Sequence, residues 1–531
     1  MSADSSFAPN SAFERPLNVG FATETTATRS MWAIAAAAVT LLWLGQAVQI
    51  EADADLWGHL QFGLDTLQSG RVTDVDPYAY TTTGAVWTNH EWLSEVAFGV
   101  AYRLAGPLGL LLLRDGLLAL AVICIVTLAV RRGLCPAGLV LLALGAVPVL
   151  AEFYRIRPQM FTYTCLAALF RIADVARARG VNRLWWGVPM FAAWVNLHAG
   201  FVAGLGIFGV LWLEFAVGAF RRRDWRECRT LLLIAFSTAA ATTLNPYGIE
   251  YWKFVLFAIA LPRPAIDEWK SPFAHNGVVI ACYLLAAGIP AICWWGGSRK
   301  ALWGETLAFG VAMLLAGRHA RHLPILLIVG AAVFARHFPE IVRRSRGSAA
   351  GLAPFCLVLL SAAAICAGGA KFIRTLTAAR TEGVVTIDPS FYPVDALKFI
   401  ERERIAGNLY TQFHWGEYAL FRLHPQTRVF CDGRYETVYP AAVSALALDR
   451  TLDPAAWKEI VDNYPTEWML VEHDKPIADW ALAHSGFVEI YRDSTARLLV
   501  RRLPQFAGLI ERWGQQPASS EVLKRSVPFP G

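Results

Sequence analysis

Residues 31–50 read MWAIAAAAVTLLWLGQAVQI, and residues 51–59 continue as EADADLWGH. A helix needs roughly 20 apolar residues to cross the hydrocarbon of a bilayer, so the first stretch is a membrane span. Glu51, Asp53, Asp55 and His59 stand directly at its end. Charge at that depth is costly, which makes the cluster a candidate functional site.

The whole chain agrees with that opening. Of 531 residues, 55% are hydrophobic and only 17% charged, with a mean hydropathy of +0.40. Such a composition is too apolar for a water-soluble globule and predicts a polytopic α-helical membrane protein. Further apolar runs lie near 109–130, 135–151, 159–176, 184–197, 201–220, 229–245, 276–296, 302–317, 321–337 and 352–370, giving about 11 transmembrane helices by length. None alternates every second residue as a barrel strand would.

The net charge of +6 is spread over short loops rather than one surface, so it is a topology signal and not a nucleic-acid footprint. Arg131-Arg132, Arg171 to Arg183, Arg221 to Arg229, Arg299-Lys300 and Arg336 to Arg346 all fall on the side of the N-terminus. That side is therefore cytoplasmic, and residues 1–30 are a cytoplasmic tail. The first apolar run has no small-residue cleavage site and is expected to remain as an anchor. Nine cysteines, most of them inside apolar runs and without a Cys-x-x-Cys pair, suggest neither a disulfide framework nor a zinc site.

The opposite, outer face collects the polar chemistry. Its first loop, 51–106, carries Asp53, Asp55, His59, Asp74, Asp76, His90 and Glu91. Later outer loops add Arg155 and Arg157, then Asn196 and His198, then Glu268, Trp269 and Lys270, then Arg318, His319, Arg321 and His322. Arginines here run against the positive-inside trend, which points to a binding task. Leu56, Leu60, Gly63, Leu64 and Leu67 recur at helical spacing, so residues 55–68 form an amphipathic surface helix with Asp55 and His59 on one face. A second such helix is expected over 91–104, making the loop a structured lid within a transmembrane module of residues 31–371.

Beyond that module the pattern changes. Leu409 to Phe413, Arg428 to Cys431, Trp468 to Val471, Val488 to Tyr491 and Ala496 to Val500 read as short strands. Helical patterns at 392–403, 415–423, 439–449, 455–463 and 476–484 alternate with them, predicting an α/β domain over 380–503 on the outer, periplasmic side. Residues 504–531 read as a poorly ordered tail. His414-Trp-Gly-Glu417 and Cys431-Asp-Gly-Arg434 sit where strands end, a place that holds ligands in α/β sheets but serves turn chemistry equally well. They are not read as catalytic.

A span followed at once by acidic residues, an outer loop of two surface helices, about eleven spans and an outer C-terminal domain resembles the GT-C superfamily of membrane glycosyltransferases. That superfamily includes protein O-mannosyltransferases, aminoarabinose transferases and the catalytic subunits of oligosaccharyltransferases. The phrases Asp53 to His59, Asp76-Pro-Tyr78, Asn89-His-Glu-Trp92, Trp194 to Phe201, Asn245-Pro-Tyr-Gly248 and Asp432-Gly-Arg434 look like those of a bacterial branch of it. The resemblance implies a multi-pass protein of the bacterial inner membrane. It also implies a sugar donor on a polyprenyl phosphate or diphosphate, entering from the outer leaflet, and a lipid, glycan or protein acceptor. The superfamily's acidic residue after the first span maps to Asp53 or Asp55, although Asp-Ala-Asp replaces the common adjacent Asp-Glu pair.

Such a transfer needs a base for the acceptor hydroxyl, cations for the leaving phosphate, and alignment of both substrates. Asp53 or Asp55 can be the base, tuned by His59 or Asp76. The two can instead hold a divalent cation such as Mg or Mn, with Asp76 or Glu91 as further ligands, or they can merely cap the surface helix. Arg318 and Arg321, with Arg155, Arg157 and Lys270, are candidates for the donor phosphate because guanidinium forks match phosphate oxygens. Snorkelling to lipid headgroups would account for the same arginines. His59, Asp76, His90, Glu91, His198 and Lys270 complete the candidate set around sugar and acceptor. Trp57, Trp87, Trp92 and Trp269 can stack on sugar rings or anchor the protein in the interface. Two other functions compete: a transporter or flippase of lipid-linked intermediates, and a catalytically silent assembly or sensor protein. A transporter is expected to show an internal repeat and charge near mid-span, and neither is evident in the sequence.

Overall fold

A computed structural model of the chain describes residues 26–261, 263, 266–297, 302–345, 352–448, 453–484, 486–520 and 526–531. Most of the predicted N-terminal tail, the Arg299-Lys300 loop and Arg346 lie outside the described residues.

Each predicted apolar run forms a helix. They are α1 (Thr26–Ala47), then α3 (Trp92–Arg131), α4 (Pro136–Phe153), α5 (Gln159–Arg179), α6 (Gly187–Leu197), α7 (Phe201–Arg221) and α8 (Trp225–Ala241). After a short α9 (Tyr251–Ala260) follow α10 (Gly277–Gly296), α11 (Trp303–Arg318), α12 (Leu323–Ser345) and α13 (Leu352–Glu382). Among the described residues, seven helices are long and apolar enough to cross a membrane: α1, α3, α4, α7, α10, α12 and α13. The other four long runs are shorter or more charged.

The outer loop contains α2 (Leu56–Ser69), the first expected surface helix. Its second is the start of α3, which breaks at Ala105 and Gly106 before continuing as a span. Gly106 sits at φ +56°, a conformation glycine adopts at no steric cost, and Pro107 then opens the next helical segment. α2 lies against α3 so closely that a Cβ on Gly63 would fall 1.9 Å from the Glu95 carbonyl oxygen.

The C-terminal domain has a five-stranded sheet of β3 (Gly407–Thr411), β4 (Thr427–Val429), β5 (Trp468–Glu472), β6 (Phe487–Arg492) and β7 (Ala496–Arg501). The order is β4-β3-β5-β7-β6, with β3 parallel to β4 and β5, and β7 antiparallel to β5 and β6. Its helices include α14 (Val394–Glu403) and α15 (Phe413–Leu423). The outer loop completes the sheet edge, since Tyr80 N–H donates to Val429 O and Val429 N–H donates to Tyr78 O, both at 3.1 Å.

A second, small sheet departs from the sequence expectation. β1 (Ile50–Glu51) runs parallel to β2 (Val385–Ile387), and β2 pairs antiparallel with β8 (Val527–Pro528). The described residues after 503 are thus docked rather than a loose tail. Residues 504–513 are helical, Arg492 N–H donates to Ala518 O at 2.8 Å, and the Phe529 ring stacks on Trp57. Paired backbone and buried aromatic area fix it in place.

Candidate functional site

Four loops assigned to the outer face meet at one place. They follow α1, α4, α9 and α11, and they enclose a cavity of about 430 Å³ whose walls include Glu51, Asp53, Glu152, Arg155, Arg157, Glu268, Arg321 and Tyr163. Phe391 and Tyr392 of the C-terminal domain close one side. Arg157 precedes Pro158, which pushes its backbone out of the helical region and separates α4 from α5.

Arg157 is the hub. Its Nε donates to Asp53 Oδ1 at 2.5 Å, and its Nη1 lies 3.1 Å from Asp55 Oδ2 and 3.3 Å from Glu268 Oε2. Asp53 also accepts from the Asp55 N–H at 3.1 Å, so the two carboxylates occupy one tight turn. Burial raises the Asp53 pKa, but the charge and hydrogen bond of Arg157 outweigh it and hold the group below its ordinary value. Burial also acts on Asp55, where Arg157 only partly offsets it and neighbouring Asp53 adds to it, leaving the pKa raised. Neighbouring carboxylates in one turn are thereby set apart, one with its pKa lowered and one with its pKa raised.

The other arginines are held differently. Arg321 Nη1 is 3.4 Å from Glu268 Oε1, and its guanidinium lies over the Trp269 ring, 4.4 Å from the centroid. Arg155 lines the cavity with only a 3.4 Å contact to the Glu152 carbonyl oxygen. It forms no carboxylate pair among the described residues. Arg318 is exposed at the end of α11 and is not a wall of the cavity.

Beside this cavity, three histidines surround Glu91. The Nε2 atoms of His59, His90 and His198 lie 3.7, 3.6 and 3.5 Å from its oxygens. His59 Nδ1 is 3.2 Å from Glu95 Oε1, and Glu95 also accepts from Asn89 Nδ2 at 2.6 Å. Burial disfavours charge on His59, yet the hydrogen bond to Glu95 and the charges of Glu91, Glu95 and Glu417 win and raise its pKa to about 9. His198 is pushed the other way, to about 4, chiefly by burial.

Two candidates sit apart. Asp76 is buried away from the cavity, where its Oδ1 is 2.7 Å from Arg434 Nη1 and its Oδ2 accepts from Thr82 at 2.5 Å. It ties the outer loop to the Asp432-Gly-Arg434 turn, because a buried guanidinium needs carboxylate partners. Lys270 points to Asp267 at 2.6 Å and is exposed. Trp57 and Trp87 are buried, which removes them as stacking platforms. The sequence names Glu268 among the polar residues of the outer loops but gives it no role, and it does not single out Glu152 or Glu95.

Asp53 and Asp55 both turn toward the Arg157 guanidinium. Among the described residues, no group of three or more His, Cys, Asp or Glu is arranged to hold a metal ion. Asp53 and Asp55 are engaged by Arg157, and Asp76 by Arg434.

An apolar groove of about 140 Å³ adjoins the cavity. Val39, Leu42 and Trp43 of α1, Leu118 of α3, Leu142 of α4 and Leu327 of α12 line it, and Tyr163 is a wall of both spaces.

No family model and no curated protein matches the sequence. The fold does have solved counterparts. It superposes on the aminoarabinose transferase ArnT from Cupriavidus metallidurans in its apo state with a TM-score of 0.53 at 14% identity, covering 90% of this chain and 98% of that one. The structure of the same protein bound to undecaprenyl phosphate matches with the same score and identity over 89% of this chain and 98% of that one. The mycobacterial arabinofuranosyltransferase AftD matches at 0.52 and 12% identity, over 90% of this chain and 42% of AftD. The chain therefore shares the fold of these two proteins, with C-terminal strands appended to an apolar helical bundle.

Proposed function

We propose that the protein is a membrane glycosyltransferase that moves a sugar from a polyprenyl-phosphate donor to a lipid, glycan or protein acceptor on the periplasmic side of the bacterial inner membrane. The observation that carries this reading is the meeting, at Tyr163, of an arginine-lined polar cavity and an apolar groove. A phosphate on a long prenyl chain needs those two environments side by side. The undecaprenyl phosphate bound by ArnT is a ligand of that chemistry.

In this mechanism the phosphate rests against Arg155 and the free edge of Arg321. Asp55 takes the acceptor hydroxyl proton, the acceptor oxygen attacks the anomeric carbon, and the bond from that carbon to the phosphate oxygen breaks. The polyprenyl phosphate leaves with its charge held by the arginines. Asp53 fixes Arg157, and Arg157 in turn orients Asp55. The raised pKa of Asp55 supports its role as base, since proton transfer works best from a group that is not already a firmly stabilised anion. The Glu91 histidine cluster lies beside this point and suits acceptor hydroxyls.

The test is genetic and chemical together. Asp55→Asn, Asp53→Asn and Arg321→Ala, each stably expressed in the native host, are expected to abolish a cell-envelope glycan seen with the wild type. Full product from all three variants would sink the proposal.

A further inference from the structure

The first backbone N–H groups of a helix have no partner within it. Asp55, the N-cap of α2, gives them no side-chain hydrogen bond, because its carboxylate is turned to Arg157. Gly58 N–H donates instead to Glu417 Oε2 at 3.0 Å, across 359 residues of sequence. Glu417 comes from α15 of the C-terminal domain and is 5% exposed. Both sides are shaped to admit it. A Cβ on Gly58 would lie 2.4 Å from Glu417 Cδ, and one on Gly433 would lie 2.2 Å from its Oε1. The neighbouring Trp57 ring is packed against Tyr392, Tyr418, Phe421 and Phe529, all from the same side of the molecule.

We infer that Glu417 is a positioning residue that caps α2 from the C-terminal domain and holds the Asp53–Asp55 turn in register with Arg157. The inference rests on the reading of that turn as the catalytic one. Burial, with Asp55 and Asp432 nearby, raises the Glu417 pKa well above its ordinary value despite His59, and its Oε2 is the acceptor that the Gly58 N–H meets. Glutamine can reproduce the accepting oxygen; alanine cannot. Cap removal of this kind loosens the first turn of a helix.

The experiment is hydrogen–deuterium exchange on the full-length protein in lipid nanodiscs, with undecaprenyl phosphate titrated into the same preparations. Glu417→Ala is expected to speed exchange in peptides spanning residues 52–62 at least tenfold and to weaken undecaprenyl phosphate binding at least threefold. Glu417→Gln is expected to match the wild type in both. Wild-type exchange in Glu417→Ala, or equal loosening by Glu417→Gln, overturns the inference. Should Glu417→Ala loosen the whole protein, Gly433→Ala decides, since its Cβ displaces the Glu417 carboxylate from the far side; unchanged exchange over 52–62 there also overturns it. Failure of the wild type to bind undecaprenyl phosphate strikes the donor reading instead, and the exchange result stands apart from it.

Discussion

Asp53, Asp55 and Glu268 all engage Arg157, so the arginine most central to the site is the one least free to meet a phosphate. Arg155, which lines the cavity without a carboxylate partner among the described residues, is the better anchor. A charge-assisted hydrogen bond is worth about 1.5–3 kcal/mol, roughly tenfold or more in affinity. Arg155→Ala is therefore expected to weaken undecaprenyl phosphate binding by that factor in nanodisc titrations, whereas exposed Arg318→Ala leaves it unchanged; equal effects would refute the assignment. His59 offers a pH signature. Its pKa rises from 6.5 to about 9 in the fold, so its stabilising contribution is complete below the unfolded value and is lost as pH climbs through about 9. A shift of that size is on the order of 3 kcal/mol. Thermal unfolding in detergent should show a falling melting temperature between pH 7 and pH 10 that His59→Gln flattens. His198→Gln should leave that alkaline slope intact, because the His198 pKa is lowered to about 4 and its contribution is lost on the acid side.

Helix packing is decided by equally small features. A Cβ on Gly63 would strike the Glu95 backbone at 1.9 Å, so α2 and α3 would have to part, at a cost of about 1–3 kcal/mol or more. Gly63→Ala is expected to lower the melting temperature and undecaprenyl phosphate affinity together. Gly116→Ala in α3, where nothing lies within 4 Å, is expected to melt at or above wild type; a similar drop in both would argue against close packing as the cause. Features of this kind explain what the sequence made legible. Long apolar runs, and strands such as Trp468–Glu472 and Phe487–Arg492, announce themselves through composition and period within a short window. The pairing of Ile50 with Val385, and of Thr386 with Pro528, involves strands of two or three residues far apart in the chain, too short to carry a period. The Asp53 to His59 turn and the arginines of later loops could be listed from charge at span ends. Their sorting could not, because only the fold shows Asp76 going to Arg434 and Arg157 to Asp53. Glu417, flagged merely as a strand-end residue, acquires its partner only when α15 meets α2.

Across the whole molecule, charge collects at two opposite ends of the helical bundle. One end holds the Arg157 and Glu91 clusters. At the other, Arg132 and Arg177 reach Glu305 at 2.6 and 2.7 Å, Arg177 reaches Glu214 at 3.1 Å, and Arg132 reaches Asp174 at 3.1 Å. That network joins α3, α5, α7 and α11 where the sequence assigns the cytoplasmic side. Basic residues in short loops favour the cytoplasm, and most such loops lie beside this second cluster, whereas the first carries the outer loop and the C-terminal domain. A donor loaded from the outer leaflet requires the first cluster to face the periplasm. Val86, 80% exposed in the outer loop, and Arg226, exposed at the start of α8, lie on the two opposite sides in that arrangement. With native cysteines replaced, Val86→Cys is expected to react with a membrane-impermeant maleimide in intact spheroplasts, and Arg226→Cys only after the membrane is permeabilised. The reverse labelling pattern would place the cavity in the cytoplasm, where a periplasmic acceptor could not reach Asp55, and the proposed direction of transfer would fall with it.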